Sequence, residues 1–476
     1  MNVSRASVRV FLGRVGTTLL SFAALAYFAR ELGSAGMGVF FLFQGLLTML
    51  ATGTDAGLAT AVEKRISGGR DTGTVLSTGG ALILGLVAVV AVVLLAARGA
   101  VNEYVGAEIA ALLAVGLALR QVMRLLYAGI RGDLRVGEIA DLQVATTVAQ
   151  FGVAAALVAV GVGPLALVVG VLAGTTAGAG LAAWKLRPAL ALPSPGQARS
   201  LLGYAKYNIV PSVGLQVHNW MDVLVIGWFL SQSAVGVYEI AWRVAGVTTL
   251  LAGAIGTSLL PQASAWEDAG ERVGRLVSAA FVPALVLIVP ATFGTVVLAS
   301  DILELIFGAE FGGTAAAAVL VVLVAGKAPE AIQIVVGKTL LGLDRPDLVA
   351  RATVATLVLN LVGNVTLVPQ FGLLGGAAAT TLSFVVGMYL RVRYLGGRVP
   401  LRFPARKVGW CVLAAAAMAA VVAAIRSTVT PRNVPQLFAL VGLGGVVYAV
   451  AALIYPPLRR ELVGYLSEFL PDAVAR

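Results

Sequence analysis

The sequence has few charged residues, and this scarcity excludes an ordinary soluble protein. Charged residues make up 12% of the 476 positions and hydrophobic residues 59%, with a mean hydropathy of +0.94. A soluble chain of this size would expose apolar patches that aggregate, so lipid is the solvent that fits the composition. A membrane-spanning helix needs roughly 20 mainly apolar residues, and such runs recur along the whole chain. The composition predicts an all-α polytopic membrane protein.

Metal and redox chemistry are also poorly supported. The single cysteine, Cys411, excludes a disulfide or a thiolate metal site within one chain, and the single histidine, His218, has no histidine or cysteine partner for zinc. We expect no metal ion and no cofactor. The net charge of +11 would suggest nucleic acid in a soluble protein. Here the basic residues cluster in short loops between apolar runs, which indicates membrane orientation instead.

The apolar runs predict about fourteen spans, separated by glycine- and proline-containing gaps. Their ranges are 8–30, 36–58, 75–97, 106–126, 139–161, 164–184, 207–230, 234–258, 275–298, 315–340, 350–368, 373–395, 407–425 and 436–456. Glycine, alanine and threonine are frequent inside them, which lets helices approach closely in a membrane.

The distribution of basic residues predicts the orientation of the chain. Of the 34 lysines and arginines, 26 fall in loops or near span ends on one predicted side, 4 do so on the other, and 4 lie further inside spans: Arg14, Arg120, Arg243 and Lys327. The basic side is expected to face the cytoplasm, which places both termini there and the protein in the cell membrane. The first apolar segment contains Arg14 and no clear cleavage site, so we interpret it as a retained span.

A weak internal repeat divides the spans into two halves. "ELGSAGMGVFFLF" (Glu31–Phe43) joins spans one and two, and "FLSQSAVGVYEIA" (Phe229–Ala241) joins spans seven and eight, at an offset of 198 residues. The intervening six spans predict two parallel six-helix lobes related by an axis along the membrane normal. The predicted domains are an N-lobe at 1–184, a cytoplasmic linker at 185–206, a C-lobe at 207–395, and two accessory spans with a cytoplasmic tail at 396–476. Within the linker, Ser194-Pro195 is expected to start a short helix on the membrane surface.

Several stretches resemble one family of transporters. The segment "RELGSAGMGVFFLFQGLLTMLATGTDAGLATAVEKRIS" (residues 30–67) is similar to the first two spans of the polysaccharide transporter family, in the MOP exporter superfamily that also contains MATE-type transporters. The resemblance continues at Asp222–Val244, Ser258–Ala265, Ile302–Phe311 and Asn364–Ser383. Each stretch is a loose pattern, but together they follow the family's order over most of the chain.

The resemblance implies two six-helix lobes around a central cavity, often with two extra C-terminal spans. It also implies a flippase that moves a polyprenyl-(di)phosphate-linked oligosaccharide from the inner to the outer leaflet by alternating access, for cell-surface polysaccharide or glycoprotein glycan synthesis. Such a protein is a transporter and not an enzyme. Its partners are the lipid-linked oligosaccharide, membrane lipids, and Na⁺ or H⁺ if transport is ion-coupled.

Charged residues inside spans are the candidate site, because they are expensive in lipid and usually face a cavity or a partner. Arg14, Arg243 and Lys327 are the candidate substrate-binding residues, since cations can replace the hydration of a lipid phosphate. The alternative interpretation is mutual neutralisation, with Glu239 pairing with Arg243 at i,i+4 and Lys327 with Glu330 at i,i+3. Between the last two residues, Pro329 is expected to kink or break its helix.

The acidic residues in spans have two readings as well. Asp55, Asp222, Glu239 and Glu330 either couple transport to Na⁺ or H⁺ or balance a nearby cation. Arg120 and Arg124 are interpreted as interfacial anchors near the end of span four. The asparagines of span eleven, Asn360 and Asn364, are expected to bond between helices.

Three other functions compete with this hypothesis. A cation-coupled multidrug (MATE-type) antiporter would need an acidic cavity, whereas this chain has more cations in its spans. A flippase for peptidoglycan lipid precursors is close in mechanism. A membrane glycosyltransferase is disfavoured, because the longest predicted loop is about 20 residues and holds neither an acidic metal cluster nor a phosphate-binding glycine-rich loop.

Overall fold

The computed structural model describes residues 3–188, 191–206, 209–265 and 270–460, with the side chains of 3–15, 17, 209–215 and 218 outside that description. Within these ranges the chain forms seventeen α-helices and two short 3₁₀ turns, at Val247–Thr249 and Ala309–Phe311, and no strand. The prediction of an all-α protein is confirmed.

The chain divides into two compact units, Met1–Gly236 and Val237–Arg476. The first contains α1 (Val3–Asp55), α2 (Leu58–Ser67), α3 (Thr72–Ala96), α4 (Arg98–Val105), α5 (Ala110–Gly132), α6 (Val136–Ala159), α7 (Leu165–Leu186), α8 (Pro195–Ala205) and α9 (Ile209–Phe229). The boundary falls within α10 (Gln232–Gly246). The second contains α11 (Leu250–Ala265), α12 (Gly270–Leu285), α13 (Ile288–Phe307), α14 (Thr314–Gly342), α15 (Pro346–Gly396), α16 (Ala405–Thr428) and α17 (Val434–Leu453).

Every predicted span coincides with helix. Eleven helical stretches among the described residues are long and apolar enough to cross a membrane. Two of them each carry two predicted spans, because α1 turns at Gly33 (φ 66°) and α15 turns at Gly372 (φ 58°). Glycine adopts these left-handed angles without the strain that a Cβ imposes. The remaining predicted span is α9, so the count of about fourteen is confirmed.

One helix lies at the centre of each unit. In the first, α5 packs against α1, α2, α3, α6 and α7, and in the second, α14 packs against α11, α12, α13 and α15. These two helices therefore fix the positions of their neighbours.

The predicted linker helix begins where expected, because α8 starts at Pro195. It rests on α2, where Arg65 donates to the carbonyl of Ser200 at 3.2 Å and lies 5.9 Å from the ring of Tyr204.

The predicted repeat reappears as two close contacts that are equivalent to each other. A Cβ built on Gly38 would overlap the carbonyl oxygen of Gln232, and one built on Gly236 would overlap the carbonyl oxygen of Ser34. The two contacts are equivalent under the offset of 198 residues, which relates Gly38 to Gly236 and Ser34 to Gln232. The hydroxyls of Ser34 and Ser233 are hydrogen-bonded beside them. The two junction segments thus approach backbone to backbone, which only glycine permits.

A second pair of equivalent segments follows the two central helices. The loops Arg131–Arg135 and Leu341–Arg345 share the same hydrogen-bonding pattern, with Leu134 (φ 60°) and Asp344 (φ 51°) at the same left-handed position. Each loop ends in an arginine that pairs with a carboxylate: Arg135 with Glu138 at 2.8 Å, and Arg345 with Asp347 at 2.9 Å. At this point α5 and α14 are equivalent helices at an offset of 210 residues.

The glycine contact generates a stability prediction. Replacing Gly236 with alanine is expected to destabilise the protein by about 1–3 kcal/mol, because the added methyl group overlaps backbone that cannot move aside cheaply. Thermal unfolding of the purified protein in detergent measures the change.

The matched control for this substitution is Gly152→Ala, at an exposed helical position of α6 where a Cβ would meet no described atom within 4 Å. There alanine is expected to stabilise the helix by about 1 kcal/mol. If both variants unfold at the wild-type temperature, the close contact at Gly236 does not contribute to stability.

Candidate functional site

The second unit contains a fully buried lysine. Lys327 lies near the middle of α14 and is only 1% exposed. Its ammonium is 2.8 Å from a carboxylate oxygen of Glu330, one turn further along the helix. A desolvated ammonium is costly unless it is paired and hydrogen-bonded, so this contact is what allows the charge to be buried.

Aromatic rings complete the surroundings of this ammonium. Nζ of Lys327 lies 3.5 Å from the ring centroid of Trp242 on α10 and 5.5 Å from that of Phe384 on α15. The two rings are themselves stacked, with centroids 6.2 Å apart. The negative face of an indole attracts a cation, and more strongly where water is excluded. Trp242, Lys327, Glu330 and Phe384 are called the lysine box below.

Helix α14 continues through this region. Pro329 lies between Lys327 and Glu330, yet α14 is one helix from Thr314 to Gly342, so the predicted break is absent. Proline still lacks the N–H that would bond the carbonyl four residues earlier, that of Ala325. Tight packing by neighbouring helices on several sides keeps the helix intact across it.

Glu239 and Arg243 form the other predicted pair. They lie one turn apart on α10, with 2.8 Å between a guanidinium nitrogen and a carboxylate oxygen. The glutamate side chain is 5% exposed and that of the arginine 36%. The carboxylate is therefore buried, whereas part of the guanidinium stays accessible. Arg243 follows Trp242 directly in sequence. One turn of α10 therefore supplies both the indole ring that covers Lys327 and the accessible guanidinium of Arg243.

A network of polar side chains lies on the helices beside the box. Asn360 donates to the hydroxyl of Thr380 at 3.0 Å, which joins the two halves of α15 across the turn at Gly372. Asn364 donates to the carbonyl of Asn360 at 2.9 Å, within its own helix. Tyr238 of α10 lies 3.4 Å from the same threonine hydroxyl. The expected bonding between helices is confirmed for Asn360.

Sequence reasoning missed one arginine of this network. Arg391 lies on α15, where it donates to the side-chain oxygen of Gln333 at 2.7 Å and to Thr353 at 3.0 Å. Gln333 of α14 in turn donates to the carbonyl of Phe384 at 2.9 Å. In the sequence, Arg391 lies near the end of the predicted span at 373–395, where a strongly basic run begins, and local spacing does not indicate its partners. Only the helix contacts identify it as part of the wall around the lysine box.

The two acidic candidates of the first unit are buried, one at a helix end and the other within a helix. Asp55, 6% exposed, is the last residue of α1, and its carboxylate accepts from the backbone N–H of Ala59 at 3.0 Å. It therefore holds the start of α2. Asp222 lies on α9 and is 7% exposed. The side chain of Arg14 lies outside the described residues.

Two arginines of α5 are deeper than the sequence indicated. The predicted fourth span ended at 126, which placed Arg124 near the interface, but α5 continues to Gly132. Arg120 is therefore about 18 Å from the end of its helix, at 1.5 Å per residue. It donates to the hydroxyl of Thr48 at 3.1 Å, and Arg124 donates to the carbonyl of Ala51 at 3.3 Å. Both contacts are with α1.

Neither a metal cluster nor an exposed thiol is found in the part of the chain that the structure describes. No group of three or more histidine, cysteine, aspartate or glutamate side chains comes together there to hold a metal ion. Cys411 is buried on α16. The chemistry available in the described spans is thus that of cations, carboxylates, amides and aromatic rings.

The lysine box generates a prediction about stability. Glu330→Gln removes the only carboxylate bonded to Lys327 in the described structure and leaves a buried ammonium without its counter-charge, which is expected to cost about 3 kcal/mol. The double variant Lys327→Met/Glu330→Gln removes both charges and is expected to recover most of that loss. Thermal unfolding in detergent distinguishes the two variants. Equal destabilisation by both would show that the box is not held by charge pairing.

Comparison with known proteins places this geometry in a family. The model for a family described as polysaccharide biosynthesis protein matches residues 28–316. The probable low-salt glycan biosynthesis flippase Agl15 of Haloferax volcanii is 37% identical over 475 residues, covering 99% of this chain and all of that protein. The probable flippase AglR of the same organism is 30% identical, covering 88% of this chain and 89% of that protein.

Solved structures agree at the level of the fold. The lipid II flippase MurJ in an inward closed conformation matches with a TM-score of 0.77 and 14% identity, covering 96% of this chain and 99% of that one. An inward-facing multidrug resistance MATE family transporter of the MOP superfamily matches with a TM-score of 0.62 and 16% identity, over 83% and 98%. The chain is a multi-pass membrane protein that belongs to the family described as polysaccharide biosynthesis protein.

Proposed function

We propose that this protein is a flippase that moves a polyprenyl-(di)phosphate-linked oligosaccharide from the inner to the outer leaflet, without acting as an enzyme. The observation that carries the proposal is the set of cations deep within the spans of a chain whose relatives are probable glycan flippases. A lipid phosphate loses its hydration inside the membrane, and arginine and lysine donors can replace it.

The proposed phosphate ligands are Arg14, Arg243 and Lys327. Arg243 supports this role best, because its guanidinium is partly accessible while Glu239 holds it in place. Lys327 is covered by Trp242, so its ammonium reaches a ligand only when the indole moves away. We infer that Trp242 links the two cations, since it lies next to Arg243 and against Lys327.

The acidic residues have three different roles in this proposal. Glu239 and Glu330 each bond a cation, which supports charge balance. Asp55 holds the start of α2, which supports a structural role. Asp222 is the residue that we propose for coupling to Na⁺ or H⁺, because it is a buried carboxylate on a helix that packs against α1.

Alternating access requires parts of the chain to move, and we propose the lobes 1–184 and 207–395 for this, with 185–206 as the linker and 396–476 as an accessory segment. We also propose that the protein lies in the cell membrane with both termini in the cytoplasm.

The transport prediction uses the purified protein in proteoliposomes with a fluorescent lipid-linked oligosaccharide. Wild type is expected to move the lipid across the bilayer, and Arg243→Ala is expected to slow it about tenfold or more, as for the loss of a charge-assisted hydrogen bond. The matched control is Arg275→Ala, whose side chain is 75% exposed on α12. It is expected to transport at the wild-type rate.

The same assay separates the competing functions. Transport of a cationic dye against a Na⁺ or proton gradient, with no movement of the lipid, would identify a multidrug antiporter. Movement of a peptidoglycan lipid precursor in preference to other lipid-linked glycans would identify the second alternative. Equal rates for wild type and Arg243→Ala would remove this arginine from the site.

The orientation is tested by labelling introduced cysteines in a Cys411→Ala background. Ser67 is the last residue of α2 and Gly99 lies in the first turn of α4; both are exposed, and they lie on opposite predicted sides. In intact cells, a membrane-impermeant maleimide is expected to label Gly99→Cys but not Ser67→Cys, and to label both after permeabilisation. The reverse pattern would place the termini outside.

A further inference from the structure

Three neighbouring side chains of α5 make all their described hydrogen bonds with one face of α1. Arg120 and Arg124 reach Thr48 and Ala51, as described above. Between them in sequence, Gln121 is 1% exposed and donates to the carbonyl of Ala51 at 2.6 Å and to the hydroxyl of Thr54. The amide therefore fixes the separation of the two helices at this level. Arg120, Gln121 and Arg124 are called the α5 basic cluster below.

The charge of this cluster is not balanced within the described part of the protein. No described carboxylate pairs with Arg120 or Arg124, whereas Arg243, Lys327 and Arg426 each have one within 3 Å. The nearby carboxylate of Asp55 instead accepts from the backbone of α2. Like charges at i,i+4 repel each other, and charge inside a span is costly without a partner. Two guanidinium groups inside a span without a carboxylate partner are expected to bind an anion.

The donors needed to bind an anion are present. A guanidinium carries five N–H donors, and each of these two arginines uses one nitrogen in a described hydrogen bond. Those bonds hold the arginines to α1 and leave the remaining donors for a ligand. Planar guanidiniums bind phosphate oxygens through two parallel hydrogen bonds, which gives both strength and orientation.

The position of the cluster along α5 matches the position of the lysine box along the equivalent helix α14. The offset of 210 residues, which superposes the loops after α5 and α14, places Arg120 opposite Glu330 in the equivalent helix. Counted back from the equivalent loop, the central helix of each unit therefore carries a charged residue at the same position. In α14 that charge is neutralised within the lysine box, but in α5 it is not.

We propose that the α5 basic cluster binds the phosphate or diphosphate group of the transported lipid, with Arg120 and Arg124 as ligands and Gln121 as the residue that positions their helix. This proposal rests on the proposed function and adds a phosphate subsite within the first unit. The chemistry that it recognises is a phosphate group attached to a lipid tail.

Binding is measured first, on the full-length protein in detergent, without any transport step. The probes are geranylgeranyl diphosphate, geranylgeraniol with the same tail and no phosphate, phosphatidylglycerol, and inorganic pyrophosphate. Thermal stabilisation of wild type is expected with geranylgeranyl diphosphate alone at matched concentrations. Arg120→Gln and Arg124→Gln are each expected to weaken that binding about tenfold, and the double variant more. Arg120→Lys is expected to bind better than Arg120→Gln, because it keeps the charge.

The ligand-free protein provides a readout that separates binding from support of the fold. Removing one of two repelling charges is expected to leave the unfolding temperature of Arg120→Gln equal to or above that of wild type. The matched control is Arg131→Gln on the same helix, which loses an ion pair to Glu63 at 2.7 Å. It is expected to be less stable than wild type but to bind geranylgeranyl diphosphate with the same affinity.

Several results would overturn the proposal. Unchanged affinity in the double variant would show that the arginines do not contact the ligand, and lower ligand-free stability with unchanged affinity would assign them to helix packing. Equal binding of phosphatidylglycerol would indicate a site for bulk lipid, and equal binding of inorganic pyrophosphate would indicate a site for free anions. If wild type moves the lipid-linked oligosaccharide and the double variant moves it equally well, this proposal fails while the proposed function stands.

Discussion

The cost of placing charge in a medium without water governs the interior of this protein. Lys327 is buried because a carboxylate, an indole and a phenyl ring surround its ammonium, and those groups come from three helices. The positions of α10, α14 and α15 in the second unit are thereby tied to one charged atom. The polar residues around it continue the pattern, since Gln333 joins α14 to the backbone of α15 and Asn360 joins the two halves of α15. Apolar packing alone would not select this one arrangement, because lipid is as apolar as the helices.

The two halves of the internal repeat differ in how the charges of their central helices are compensated. The central helices α5 and α14 end in loops of the same geometry, and counted back from these loops Arg120 and Glu330 occupy equivalent positions. One helix carries a lysine and a glutamate that neutralise each other. The other carries two arginines that use neutral oxygens of α1 as their protein partners. A transporter that carries an anion through the membrane needs such an asymmetry, because fully neutralised cations would have little attraction left for a substrate.

Hydropathy and local spacing predicted much of the fold. Span ranges, the turns at the glycine-rich junctions, and the i,i+3 and i,i+4 ion pairs depend on residues close in sequence, and all are present. What the sequence did not give is which neighbour each polar side chain meets. The packing of the helices decides that Trp242 covers Lys327 and that Arg391 contacts Gln333. The distance of Arg120 from the end of its helix depends on where α5 ends, at Gly132. Of the kink or break expected at Pro329, the break is absent, since α14 is one continuous helix.

The contact between Gly38 and Gly236 has a consequence for how the two halves can diverge. Each glycine packs against a backbone carbonyl of the other repeat half, Gly38 against that of Gln232 and Gly236 against that of Ser34. The residue allowed at either position therefore depends on the backbone of the other half. If the halves descend from one duplicated ancestor, both glycines derive from a single ancestral glycine. A larger residue on either side then needs the opposite segment to withdraw as well. Two positions 198 residues apart should therefore change together across descendants of this chain or remain small together.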